Sequence, residues 1–171
     1  MILVKINIKM EIKKYLRTKE YLDKLFYEVN QQRDFQIQIL KDGFRTKRKM
    51  YSEICHDFEN KENQLFLMHV NQRQILPCEI VIDLEERKNV WKIVTELTSM
   101  NLTFYVYDTG SRGVHIHIFF KKDLTEEEKL KIIQYFGGDS QLASNKHMIA
   151  LEYVEHWKSG RIKEEIKWKS D

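Results

Sequence analysis

In the run Ile80-Val81-Ile82-Asp83-Leu84-Glu85, two carboxylates stand two residues apart. Side chains alternate along an extended chain, so Asp83 and Glu85 leave by one face while Ile80, Ile82 and Leu84 enter a core. Like charges this close repel unless a cation or proton lies between them, and hard divalent ions such as Mg²⁺ prefer oxygen ligands of this kind. A metal site is one reading; the other is a strand end passing into a solvated helix start, where acids suit the helix dipole. Further on, Thr109-Gly110-Ser111-Arg112-Gly113-Val114-His115-Ile116-His117-Ile118 joins a turn with two glycines to a strand. Glycine lets backbone N–H groups approach an anion, and Thr109, Ser111, Arg112 and His115 offer further donors, so the turn suits a triphosphate. With Val114, Ile116 and Ile118 facing the core, His115 and His117 are expected on an open face rather than packed inside. A third carboxylate, Glu152, follows the apolar run Met148-Ile149-Ala150-Leu151. Three carboxylates around a phosphate turn can hold two cations, one binding the triphosphate and one lowering the pKa of an attacking 3′-hydroxyl. That is the equipment of a nucleotidyl transferase.

Asp83-Leu84-Glu85, Thr109-Gly110-Ser111-Arg112-Gly113-Val114-His115 and Leu151-Glu152 resemble the three motifs of the archaeo-eukaryotic primase superfamily, which includes primase small subunits and primase-polymerases. Members read small-Gly-x-Arg-Gly-Val-His at the second motif, and His156-Trp157-Lys158-Ser159-Gly160-Arg161 is similar to the His-x-Lys-Thr-Gly stretch that follows the third motif in some of them. The likeness runs from Glu79 to Arg161. It implies that Asp83, Glu85 and Glu152 are catalytic and ligate two Mg²⁺ or Mn²⁺ ions. It also implies that Thr109, Ser111, Arg112, His115 and Lys158 serve the phosphates of an incoming NTP or dNTP. The activity implied is template-directed nucleotide transfer to a 3′-hydroxyl on a single-stranded nucleic acid, as in DNA primase and primase-polymerases, with a separate large subunit as a further partner. The fold implied is an RRM-like β-α-β-β-α-β sheet. Two other readings stay open. His115-Ile116-His117 also resembles the His pair of HUH endonucleases, which bind a metal there and attack DNA with a Tyr, for which Tyr135 and Tyr153 are candidates. A catalytically idle relative that binds nucleic acid is the other.

The elements that must position these groups follow from periodicity. Residues 2–8 read as a strand, and Leu22, Leu25, Phe26 and Val29 recur at helical spacing within a helix over 18–31. Phe35 to Leu40 alternates, Lys41-Asp42-Gly43 signals a turn, and Phe44 to Met50 is basic, so a basic hairpin is expected. Lys41, Arg45, Lys47, Arg48 and Lys49, with Phe44 and Tyr51 beside them, could track a nucleic-acid backbone and stack bases. Residues 52–63 are ambiguous, and Leu65 to Val70 reads as a short strand. From Pro77 a strand over 79–84, a helix over 87–100 and strands over 102–107 and 114–120 follow one another. Thr125-Glu126-Glu127-Glu128 forms a capping box for a helix ending near Gly137-Gly138. His147 to Val154 reads as the next strand and the charged tail from Gly160 as a helix. The expected class is α+β, an RRM-like sheet with an N-terminal α/β extension packed on it. Residues 1–171 make one primase-like catalytic domain: a basic subregion 1–76, a motif-bearing core 77–161 and a charged tail 162–171.

Composition sets the outer bounds. The chain has 171 residues, 42% hydrophobic and 32% charged, with one Pro and six Gly, which excludes disordered, collagen-like and low-complexity classes. The net charge of +3 is uneven: residues 1–74 hold 15 Lys/Arg against 10 Asp/Glu, and residues 75–171 hold 14 against 16. A basic first half suits a phosphate backbone and an acidic second half suits metal ions. Cys55 and Cys78 are too few for a disulfide framework, and with His56 and His69 they lack the Cys-x-x-Cys spacing of a structural zinc site. The longest apolar runs fall far short of the ~20 residues that span a bilayer, so no membrane partner and a cytoplasmic setting are expected.

Overall fold

A computed structural model describes residues 15–167; the strand expected at 2–8 and the end of the tail lie outside the described residues. Helix α1 occupies 15–24 and widens into a π-helical turn at Leu25–Val29, burying Leu22, Leu25 and Phe26. Strands β1 (Gln36–Gln38) and β2 (Leu40–Lys41) follow. Asp42 and Gly43 both have positive φ, 51° and 81°, the backbone of a two-residue hairpin turn whose twist matches that of its strands. It returns the chain into β3 (Phe44–Arg45), with Leu40 opposite Arg45 and Lys41 opposite Phe44. The expected basic hairpin is therefore present.

Strand β4 (Lys49–Met50) pairs back on β1 and leads into α2 (Tyr51–His56) and α3 (Lys61–His69). Residues 65–69, expected as strand, are helical. A short apolar run has no period of its own, and here the Asn60 side chain caps the helix by accepting from Glu62 N at 2.8 Å. Strand β5 (Gln72–Gln74) and then β6 (Glu79–Leu84) come next. A 3₁₀ turn at Arg87–Asn89 opens α4 (Val90–Ser99), which buries Val90, Ile93, Val94 and Leu97 along one side. Strands β7 (Thr103–Asp108) and β8 (Val114–Phe119) precede α5 (Glu126–Phe136). The Thr125/Glu128 capping box starts α5, and Gly137, at φ 76°, ends it. A 3₁₀ turn at Ser140–Ala143, β9 (Met148–Ala150) and β10 (Glu164–Glu165) complete the described chain.

Two four-stranded antiparallel sheets result, in the orders β10-β7-β8-β6 and β4-β1-β5-β9. In the first, Asp83, His115 and Tyr107 lie abreast, as do Val81, His117 and Tyr105. Ile80, Ile82, Val106, Val114, Ile116 and Ile118 form its other face and share a core with α4 and α5. The second sheet, with α1 to α3, builds a separate core around Phe35, Ile37, Tyr51 and Leu151 and comes down on the face that carries the acids and histidines.

Two further expectations change. The strand read over 147–154 is only Met148–Ala150, and it pairs with β5 in the second sheet rather than closing the first. Residues from either side of position 76 thus share one sheet. The tail is extended, not helical: Ile162 bridges Glu155, and β10 adds to the edge of β7, with Glu164 opposite Asp108. An open strand edge offers unpaired N–H and C=O groups, and pairing with it outweighs the weak helical preference of a charged segment. Among the described residues no helix is long and apolar enough to cross a membrane.

Candidate active site

The turn between β7 and β8 depends on both its glycines. At Gly113 (φ +80°) a Cβ would lie 2.1 Å from the Leu84 carbonyl oxygen, and at Gly110 (φ +72°) 2.5 Å from that of Arg161. Any side chain would push the turn off the end of β6 or off the tail. The polar side chains of the turn largely hold the turn itself. Thr109 Oγ1 donates to the Arg112 carbonyl at 2.8 Å and accepts from Ser111 N at 3.3 Å, and Asp108 Oδ1 accepts from Gly110 N at 2.9 Å. From outside, Ser159 Oγ and Arg161 Nε donate to the Gly110 carbonyl, and Arg161 Nη2 to that of Ser111. The stretch His156 to Arg161 is a brace across the turn, while the Arg112 side chain stays exposed.

Below the turn opens a cleft of about 350 Å³, lined by Asp83, Thr109, Ser111, Arg112, His115 and Asp139 among others. His115 Nε2 faces Asp83 Oδ1 at 3.6 Å. Partial burial pushes the Asp83 carboxyl up, but His115 beside it and Lys163 further in outweigh this and hold it below its ordinary range. Burial, then the Lys163 ammonium, push the His115 imidazole down against the pull of Asp83, so it is neutral at pH 7. Its Nδ1 is buried with no hydrogen-bond partner. Glu85 follows the end of β6 and is exposed, and Lys158 is exposed on the brace. Asp139, which sequence reasoning passed over, brings a second carboxylate to the cleft that holds Asp83. Its Oδ1 accepts from Gln141 N at 3.0 Å, capping the 3₁₀ turn. In sequence Asp139-Ser140 after Gly137-Gly138 reads as a helix stop and a new cap, so nothing but the fold marks it. Among the described residues no three His, Cys, Asp or Glu side chains form a ready metal cage.

The structure does not bring Glu152 or His117 to this cleft. Both are fully buried, as are Arg73, Glu79 and Lys163. Arg73 pairs with Glu79 through Nη1 and Nη2, each at 2.7 Å, and with Glu152 through Nε at 2.8 Å and Nη2 at 3.0 Å. Lys163 Nζ donates to Glu152 Oε1 at 2.9 Å, to the Ala150 carbonyl at 2.8 Å and to His117 Nε2 at 3.1 Å. His117 Nδ1 in turn donates to Glu79 Oε1 at 2.6 Å. Both oxygens of Glu152 are held by cations of the chain, which removes it from the expected metal-ligand set. Both ring nitrogens of His117 are engaged as well, so the His115/His117 pair is not a two-imidazole metal site. The expectation of an open histidine face fails because the second sheet covers it. Of the candidate tyrosines, Tyr135 donates to Glu96 from α5, and Tyr153 packs edge-on against Tyr21 and Tyr107; neither lines the cleft.

On the hairpin, Lys41, Arg45 and Lys47 are exposed. Arg48 donates to Gln36 Oε1 at 3.1 Å and to the Lys146 carbonyl at 3.3 Å, and Lys49 lies over the Phe66 ring at 4.8 Å. A larger cavity, about 850 Å³, lies between α1 and Tyr105, Tyr107 and Tyr153. Its charged lining residues are Arg17, Lys19 and Lys24 against Glu20, Asp23, Glu28 and Glu165, a near-balance that favours neither a phosphate nor a cation. The sequence matches no protein-family model and no curated protein.

Proposed function

We propose that the Asp83/Asp139 cleft transfers a nucleotide from an NTP or dNTP to the 3′-hydroxyl of a strand paired to a single-stranded template. The observation that carries this reading is the meeting of two carboxylates with His115, Arg112 and a braced glycine turn in one cleft. The strand order β7-β8-β6, with α4 and α5 on one face, supports the RRM-like arrangement that the resemblance to archaeo-eukaryotic primases implies.

Asp83 and Asp139 are the oxygen donors that suit Mg²⁺ or Mn²⁺, with Glu85 next along the chain. Magnesium is commonly held by one or two carboxylates plus substrate phosphates and water rather than by an all-protein cage, which fits this donor set. Such ions would lower the pKa of the attacking hydroxyl and offset charge on the phosphates. The chain's own part is positioning. Arg112, exposed at the mouth, reaches for phosphate oxygens as a planar fork, and the neutral His115 turns its Nε2–H toward Asp83 and orients that carboxylate. Ser159 and Arg161 hold the turn at a fixed height above β6, so little reorganisation is needed when the phosphates arrive. Lys158, exposed on the brace, is placed to screen charge there. A separate large subunit belongs to the same reading as a partner.

The test is incorporation of labelled NTPs and dNTPs on single-stranded templates with Mg²⁺ or Mn²⁺, with and without a primer. Asp83→Ala should lose incorporation by about 100-fold or more, the scale of losing one main charge-stabilising group, with its circular dichroism unchanged. Undiminished turnover in Asp83→Ala overturns the assignment. Absence of product from the wild type under every condition overturns the transfer reading.

A further inference from the structure

The cleft does not end at the brace. Beyond the Trp157 indole lies a groove of about 450 Å³, lined by Leu40, Lys41, His69, Asn71, Val154 and His156 among others. Asn71, His156 and Trp157 line both spaces, so the indole, 41% exposed, stands as a partition between them. It is a large apolar surface left partly in water on a turn that Ser159 and Arg161 tie to the Gly110 and Ser111 carbonyls. Packing covers only part of it: the His156 ring lies beside it, with centroids 6.1 Å apart, and the rest of the indole faces solvent.

The surroundings of the groove select a ligand. Ile39, Leu40, Val154 and Trp157 give it an apolar and aromatic floor, and Lys41 and His69 stand on its rim, with Glu155 the acid there. The β2–β3 hairpin carries positive charge onward from Lys41 through exposed Arg45 and Lys47, with Phe44 80% exposed at the end of the turn. Flat rings for bases, with cations in line for phosphates, form the combination that binds single strands without reading their sequence. We propose that this groove holds a single-stranded polynucleotide, and that Trp157 stacks on the base nearest the cleft, setting the end of the strand against the nucleotide chamber. Binding of the strand stands without any chemistry; only its role as template or primer rests on the nucleotidyl-transfer reading.

The experiment measures the affinity of a fluorescein-labelled oligothymidylate by anisotropy, for wild type, Trp157→Ala, Trp157→Phe and Lys41→Glu, with ATP affinity measured in parallel. One stacked base lost should weaken oligonucleotide binding roughly 5- to 100-fold in Trp157→Ala. Trp157→Phe, which keeps a ring, should recover most of it. Lys41→Glu should weaken binding and lower the salt slope by about one. Both positions are partly or fully exposed, so the variants fold, as thermal melts would verify. Equal oligonucleotide affinity in wild type and Trp157→Ala overturns the proposal, as does a loss confined to ATP, or a loss that Phe fails to restore. If the wild type binds the strand through Trp157 yet incorporates nothing, the groove stands and the transferase reading falls. If it incorporates nucleotides while Trp157→Ala binds the strand normally, the reverse holds.

Discussion

His115 and His117 sit two residues apart on one strand and one face, yet they belong to opposite kinds of site. Around His117 two carboxylates, a guanidinium and an ammonium are sealed from water, and the donors and acceptors answer one another. Around His115 the carboxylates of Asp83 and Asp139 reach a cleft, the guanidinium of Arg112 is exposed, and one ring nitrogen has no partner. The first set is matched within the chain, and the second opens on a cleft. Identical residue types thus do structural work where their charges are matched and sealed, and stay accessible where they are not. The sealed set also shows how β5 is joined to the sheet below it, since Arg73 grips both Glu79 and Glu152.

The largest expected effect breaks the sealed side. Arg73→Met leaves Glu79 and Glu152 buried without the guanidinium they share, and removing one partner of a buried pair costs about 3–5 kcal/mol. Urea denaturation should show that loss, while Arg112→Met, which removes the same group from the open side, should stay within ~0.5 kcal/mol. Equal losses in the two variants would erase the distinction between the regions.

This difference is also where the sequence ceases to be legible. Strands β6, β7 and β8, α4 and the capped α5 follow from period and caps, and the glycine turn from its composition. Alternation puts Asp83 on one face of its strand and His115 and His117 on one face of theirs, but it cannot say that a second sheet will cover part of that face. The sealing partner arrives from far away: Arg73 meets Glu152 across 79 positions. Glu152 drew attention as an acid after an apolar run, and that run instead joined the second sheet. Asp139 caps a 3₁₀ turn, and its place in the cleft is a tertiary fact. The hairpin was legible because Asp-Gly fixes it locally; α3 was not, because five apolar-rich positions fit strand and helix alike.

A smaller effect sharpens the comparison through pH. Burial, then the nearby Lys163 ammonium, depress His117 to about 4, whereas an unfolded histidine titrates near 6.5. Between those values the unfolded state binds more protons, so the contribution is full above about 6.5 and is lost as pH falls toward 4, roughly 3 kcal/mol in all. Burial alone would raise Glu79 and Glu152, but Arg73, joined by His117 at Glu79 and by Lys163 and His117 at Glu152, holds both well below the ordinary carboxylate range, which extends the loss into stronger acid. Urea unfolding at successive pH values should give this slope in the wild type and a shallower one in His117→Gln. A flat wild-type profile between pH 7 and 5 would mean that His117 is charged in the fold, contrary to its donating to Glu79 while accepting from Lys163.

The smallest expected change in stability falls at Asp139 and is the most informative about the open side. Asn caps a helical turn as well as Asp does, so Asp139→Asn keeps the acceptor for Gln141 N and should shift stability by only a few tenths of a kcal/mol. What it removes is one negative charge from a cleft whose other carboxylate, Asp83, is held ionised by its neighbours. If that pair of charges exists to hold cations against phosphates, nucleotide incorporation should fall steeply at unchanged melting temperature, and raising Mn²⁺ should recover part of it. Glu152→Gln should do the opposite, losing stability through the uncompensated Arg73 and Lys163 while the folded fraction keeps its nucleotide affinity. An Asp139→Asn variant as active as the wild type would return that side chain to a capping role alone and leave Asp83 as the acid of the cleft.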